Sequence, residues 1–492
     1  MKIFKNQSKS FNVKGKKTNY NKKNKAINFI LTNNKSNYFS KFKYQESKTN
    51  SFFNIIKIKN FILFYIIIII LSNINGILCE SYIIVKINKS GHFNFLFKGG
   101  INDENLPCYR SKHTPNLIYI NDEPINDNSI DEYDFVQPVN TIKLVYDDTK
   151  DSYACLFNEC SDIDEIDASH LITTNVNNMD FMFHQCSSLK SLNINNFNIE
   201  NVKFMKSMFG FCSSLTSIDG LNSPNFDVSF VEFFDNMFDT CKSLNSLDLS
   251  NLHTLKALSM NKMFHYCTNL KYLDIHNFVT SSVVNMGFMF NKCFTLESLN
   301  ITNFDTSKVF YMRIMFGECI SLTTLDLTHF DTSSVKDIGW LFYECRNLTY
   351  INLSNFDTSL TTKFVFMFYE CQPLKYLDIN HLNTDSADDM RYMFSKCPSL
   401  TYLNLSNFNT LSVTDMCGMF AKCTSLISLD ISSFDTSNVI DMSYMFQNCE
   451  KLKSLNLSNF NTLNVQNMQW MFYECYKLEF LDISSFRTPN VI

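Results

Sequence analysis

Thirteen cysteines are the first residues whose spacing could do chemistry. The tetrad F-x-x-C recurs with its cysteine at Cys160, Cys186, Cys212, Cys241, Cys267, Cys293, Cys319, Cys345, Cys371, Cys397, Cys423, Cys449 and Cys475. Every interval is 26 residues except one of 29, where SIDGLNSPNFDVS inserts three. Thiolates that share a metal cluster at spacings such as C-x2-C, whereas this interval puts each thiol on a different turn of the chain. Disulfides need Cα atoms within about 7 Å, and helical layers sit about 8–10 Å apart. The pattern therefore reads as a ladder of buried reduced thiols, packed as small hydrophobes. Cys108 (LPCYR) and Cys155 (SYACLF) stand outside the ladder and are candidates to pair with each other. Cys417 replaces an ordinary position and reads as a free thiol.

A second set of polar residues follows the same period. Asp274, Asn300, Asp326, Asn352, Asp378, Asn404, Asp430, Asn456 and Asp482 occupy one equivalent position in nine successive units, acid alternating with amide. Carboxylates on adjacent strands would lie about 5 Å apart and raise each other's pKa. Alternation doubles the separation to about 10 Å, near the Debye length in physiological salt. Duplication of a 52-residue block would copy the same alternation without selection, and the sequence leaves both origins open. Two residues earlier stand Tyr350, Tyr376 and Tyr402 in consecutive units, with Tyr272 and Phe480 further off; two residues later come Ser354, Asn380, Ser406, Ser432 and Ser458. Aromatic, hydroxyl and amide groups on a rigid face suit recognition, since Tyr gives contact area at low entropic cost. The expected ligand surface is centred on Tyr350, Tyr376, Tyr402, Asp378 and Asn404, with Asp326 and Asp430 extending the row; the bland alternative is a merely soluble sheet face. Asn300 (NIT), Asn347 (NLT) and Asn352, Asn404 and Asn456 (each NLS) begin N-glycosylation sequons. In a glycosylating host, sugars there would cover the face.

Nothing else has the spacing of a catalytic or cofactor site. G-x-S-x-G, the P-loop, H-E-x-x-H and G-x-G-x-x-G are absent, and 11 glycines in 492 residues leave little to build a phosphate-cradling loop from. The nine histidines are scattered, and His265, two residues before Cys267, reads as a coincidence of register. The expectation is a chain that is no enzyme and uses no metal or cofactor.

What must position the polar rows is the repeat, which reads F-D-T-S-x-V-x-x-M-x-x-M-F-x-x-C-x-x-L-x-x-L-D-L-S-x. Val439, Met442, Met445, Phe446 and Cys449 fall at i, i+3, i+6, i+7 and i+10, the stripe of a short amphipathic helix. Met312, Met315 and Phe316 are the same core stripe in another unit. Leu452, Leu455 and Leu457 then enter a strand with alternating faces. Asp435, Thr436 and Ser437 are turn formers and N-cap candidates, and Phe434 fills the corner between strand exit and helix entry. One unit cannot bury its nine apolar groups alone, so about thirteen repeats over residues 155–492 must stack and share a core. The expected fold is α/β: a leucine-rich-repeat solenoid with a parallel β concave face, short helices on the convex face, and a small β-rich N-terminal cap over residues 80–154. SYIIVKI, NFLFKG, NLIYIN and TIKLVYDD are the strand candidates of that cap. Thirteen strands about 4.8 Å apart would run about 60 Å, with the wider helices fanning out to curve the stack.

The repeat resembles, over about residues 155–492, the 26-residue repeat of BspA-type leucine-rich-repeat surface proteins, and residues 80–154 resemble the cap that precedes such repeats. The resemblance implies an exported protein of a microbial surface that binds non-covalently to host or cell-surface proteins, with no catalytic residues; glycans are the alternative partner. The last unit stops in mid-repeat at FRTPNVI without a polar capping repeat, which implies a longer chain or a partner on that end. A passive structural or antigenic coat without a defined ligand is the alternative of a different class.

Charge and hydropathy divide the N-terminal part from the rest. Residues 1–60, a Lys/Asn-rich leader of disordered character, carry +14 from fifteen Lys and Glu46, whereas the remainder carries −19. A basic arm without Arg, joined to an acidic body, argues for two compartments and against a nucleic-acid partner. The join is residues 61–79, where FILFYIIIIIL (Phe61 to Leu71) is short for a bilayer span and suits a signal-peptide apolar region. A cleaved signal, an uncleaved N-terminal anchor and a non-targeting buried segment remain three readings, the first two giving a secreted or cell-surface protein that meets a membrane only through this segment.

Overall fold

The computed structural model describes residues 80–96, 113–147 and 149–492. The chain divides into two compact units, Met1–Leu78 and Cys79–Ile492, and the described residues belong to the second. The leader, the apolar run before Glu80 and Cys108 lie outside the described residues.

The cap is antiparallel. Strand β1 (Ser81–Ile87) alternates inward Ile83, Val85 and Ile87 with outward residues, as the period of two requires. β2 (Gly91–Asn94) pairs with β5 (Glu132–Phe135), β3 (Leu117–Ile120) with β4 (Glu123–Ile125) and with β6 (Asn140–Tyr146), and β6 in turn with β1. β1 also pairs antiparallel with β7 (Glu165–His170). β7 then runs parallel to β8 (Ser191–Asn193), and β8 to β9 (Ser217–Asp219), so the cap and the first coils share one sheet. Beyond the three-residue insertion the strands continue in parallel pairs. These are β10 (Ser246–Asp248) with β11 (Tyr272–Asp274), β12 (Thr324–Asp326) with β13 (Tyr350–Asn352), β14 (Tyr402–Asn404) with β15 (Ser428–Asp430), and β16 (Ser454–Asn456) with β17 (Phe480–Asp482). Coils at residues 298–300 and 376–378 hold the same sequence position without a regular strand.

The expected convex-face helices are absent: no helix occurs among the described residues. The segment from Met179 to Cys186 shows why. Phe181 and Gln185 take left-handed φ values of 58° and 59°, which a helix excludes. The N–H groups of Met182, His184 and Cys186 donate three residues back within the coil. Those of Phe181, Phe183 and Gln185 donate instead to Lys206, Met208 and Gly210 of the next coil, at 2.8–2.9 Å. Two successive turns thus replace the helix, and alternate main-chain groups are satisfied by stacking. An unbroken series of twelve parallel bridges, Ser152 to Asn178 and onward to Asn467, runs along this turn face. The molecule is a β-solenoid.

Loss of the helices also removes the reason for a concave strand face. Main-chain bonds close every interface on the turn face, but on the strand face they join coils mainly in pairs. Between the faces, Phe157 to Phe472 form a stack in register, with centroids 5.3–6.0 Å apart and rings within 20° of parallel.

The conserved spacing of the repeat serves this stack. The D-T-S threonines do not cap helices. Thr280, Thr384 and Thr436 are buried, and each hydroxyl donates to a carbonyl of the next coil while accepting that residue's N–H, all at 2.8–2.9 Å. Each ladder cysteine from Cys186 onward points its Sγ at the phenylalanine carbonyl of the preceding coil, as Cys319 does to Phe290 at 3.1 Å. All fourteen cysteines from Cys160 to Cys475 are free, twelve of them buried.

Candidate functional site

The strand face presents what the core and the ladders leave over. Tyr350 and Tyr402 open β13 and β14, and Tyr376 holds the same position in the irregular coil between them. They are 58%, 76% and 49% exposed in the order Tyr350, Tyr376, Tyr402, and Tyr272 and Phe480 stand out similarly at 62% and 55%. None of the three rings contacts another ring among the described residues. That separates them from the aromatic cluster on the turn face, which sequence reasoning missed. There Trp340 lies tilted against Phe366 at 4.7 Å, Phe366 stacks on Tyr392 at 4.9 Å, and Tyr343 stacks on Tyr369 at 5.1 Å. Those half-buried rings pack on each other, whereas the strand-face phenols leave theirs exposed.

The acidic row has a local task. Asp326 accepts the Thr328 N–H and hydroxyl at 3.0 and 2.8 Å, and Asp430 does the same with Ser432 at 3.1 and 2.7 Å. These bonds hold both carboxyls below the usual carboxylate range. Asn404 accepts the Ser406 N–H at 3.0 Å, and Asn300, Asn352 and Asn456 make the same Asx turn. The turn needs an acceptor oxygen two residues before an N–H, which Asp and Asn supply equally. Alternation of acid with amide therefore leaves the backbone unchanged. Asp378 is followed two residues on by Asn380, whose own Oδ1 accepts the Asn407 N–H at 3.1 Å; its exposed carboxylate lies beside Tyr376 outside this pattern. Asn347 is exposed in the loop before β13.

The insertion shapes the other half of the face. Gly220, at φ +111°, passes so close to the preceding coil that a Cβ would lie 2.6 Å from the Asn195 nitrogen. An open cavity of about 500 Å³ forms beside it, bounded by Asn195, Asp219, Asn222 and Asp248. The insertion was legible as Gly220 and Pro224; the cavity was not. His265, which the spacing made a coincidence, is paired with Asp239 of the preceding coil at 2.9 Å. Cys155 is disulfide-bonded, and Cys108, its expected partner, lies outside the described residues. No cluster of His, Cys, Asp or Glu among the described residues could hold a metal ion.

A family model described as "Mycoplasma protein of unknown function, DUF285" matches residues 151–273, 233–327, 258–375, 321–402 and 389–492. No curated protein is significantly similar. Among solved structures, a crystal structure of a TLR13–ssRNA13 complex aligns with 63% of this chain at 14% identity and a TM-score of 0.19. The alignment spans 66% of that chain's own length.

Proposed function

The chain belongs to the DUF285 family, and on that premise we propose that it is an exported repeat solenoid, of the BspA-like kind, which binds cell-surface macromolecules non-covalently through its strand face. One observation carries the reading: three exposed phenols on consecutive coils make no ring contact, on a molecule whose other repeated polar groups are consumed by turns and inter-coil bonds. Rigid aromatic groups set in a hydroxyl- and amide-rich surface are suited to recognition. Export is supported by the apolar run Phe61 to Leu71 and by the disulfide at Cys155, a bond that persists in oxidising compartments. The mature protein is secreted or held at the cell surface, the alternative being a retained N-terminal anchor with the solenoid outside.

The test replaces Tyr350, Tyr376 and Tyr402 together by Ser in the full chain and measures saturable binding of wild type and variant to intact cells. Because all three side chains are exposed, the variant should fold and melt like wild type while binding falls at least about tenfold. Equal binding by both would sink the reading and leave the structural or antigenic coat, a reading favoured by how completely the ladders occupy the polar side chains.

A further inference from the structure

We infer that the turn face carries a self-complementary stripe through which two copies of the chain pair antiparallel. The stripe occupies the residue just before each parallel bridge. Five successive coils hold Glu232, Leu258, Val284, Phe310 and Lys336 there. Other coils place a polar or charged residue at this position, as with Lys203 and Thr362, apart from the isolated Ile440. The five are fixed side by side. The N–H groups of Leu258, Val284, Phe310 and Lys336 each donate to the equivalent carbonyl of the preceding coil, at 2.8–3.2 Å. At about 4.8 Å per coil the row is about 19 Å long. Leu258, Val284 and Phe310 are exposed, as is Tyr311 beside them, and contiguous apolar groups rimmed by charge mark interaction sites. The rim identifies the partner. Glu232 ends the apolar row on one side and Lys336 on the other, and neither makes an ion pair among the described residues. A second stripe, reversed about a two-fold axis at Val284, sets Glu232 of each copy against Lys336 of the other. The same operation lays Leu258 on Phe310 twice and Val284 on itself. The other charges of this face permit the pairing. Arg313 is held by Asp337 at 3.3 Å, Lys262 lies over the Phe288 ring, and Asp235 accepts the Ser259 hydroxyl. Lys256 of each copy would meet Lys308 of the other, whose charge is offset by Asp305 on its own coil. Pairing on the turn face leaves both strand faces open.

The experiment is sedimentation equilibrium on the full chain and its charge-reversal variants. Wild type should dimerise with a Kd on the order of 10–100 μM, as suits a small apolar centre. Glu232→Lys and Lys336→Glu should each weaken the dimer about tenfold, because like charges then meet at both ends. An equimolar mixture of these two variants restores both pairs in a heterodimer and should recover the wild-type affinity. Val284→Asp, which sets two carboxylates together on the axis, should leave the chain monomeric while it melts like wild type. A wild-type chain still monomeric at about 300 μM would overturn the inference. So would a dimer that tolerates Val284→Asp, since association would then lie elsewhere. A mixture no tighter than its two components would refute the antiparallel pairing, and the stripe with it.

Discussion

Thr436 offers the sharpest test of how the coils are joined. Its hydroxyl is fully buried, donates to the Asn461 carbonyl at 2.9 Å and accepts the Asn461 N–H at 2.8 Å. Thr436→Val keeps the shape and removes both bonds, leaving two main-chain groups without partners. At about 1–1.5 kcal/mol per bond, the loss is about 2–3 kcal/mol. Thr436→Ser keeps the hydroxyl and removes one buried methyl, costing about 1 kcal/mol. Because each coil touches only its neighbours, the damage should be local. Native-state hydrogen exchange, read coil by coil, is therefore the assay: in the Val variant the Asn461 amide and its flanking coils should lose protection by a factor of about 30–150, while the cap exchanges as before. A Val variant as protected as wild type, or a Ser variant as damaged as Val, would refute the ladder. In the second case the methyl, not the hydroxyl, would be what the coil requires.

Other consequences are less elaborate. Gly220→Ala should destabilise by about 2–3 kcal/mol, since φ +111° and a Cβ 2.6 Å from neighbouring backbone leave no relaxed position; a denaturation midpoint equal to wild type would count against the close approach. Native protein treated with a thiol reagent should react at Cys417 and Cys475, the two half-buried free thiols, and at none of the twelve buried ones, where burial pushes Cys345 and Cys423 up to about 12. Mass mapping of the labelled sites checks this. Burial pushes Asp180 up to about 6, helped by the nearby Asp235 carboxylate, against an unfolded value of about 3.9. Its contribution is therefore favourable below about pH 4 and is lost as pH rises through 6, on the order of 3 kcal/mol. Asp180→Asn should flatten that slope in melts between pH 4 and 7, and an unchanged slope would place the titration elsewhere.

Much of this was legible because repetition averages out ambiguity. Thirteen cysteines in register located every coil, and the Met, Phe and Leu positions named the core: Met312, Met315 and Phe316 are fully buried as their stripe required. Exposure of Tyr350, Tyr376 and Tyr402 followed from the alternation of the strand. The role of Asp326 and Asp430 was not legible, because an Asx turn and a ligand-facing carboxylate use the same residue. Nor was Thr436, whose partner lies 25 residues away and is brought near only by stacking.

The sequence alone determined the period, the solenoid and the inward-facing residues, since burying nine apolar groups per 26 residues leaves a chain no choice but to stack. Only the tertiary structure decided between helix and double turn at M-x-x-M-F-x-x-C. Spacings of three and four suit either one, and the left-handed positions are held by residues such as Phe181, Trp340 and Glu344, with glycine at too few of them, as at Gly418, to announce the turns. An isolated coil could satisfy its N–H groups internally only as a helix. Once a neighbour lies a strand's width away, every second N–H can donate across the gap. The ladder those bonds form repeats in every coil, which outweighs about 1–2 kcal/mol for each strained residue.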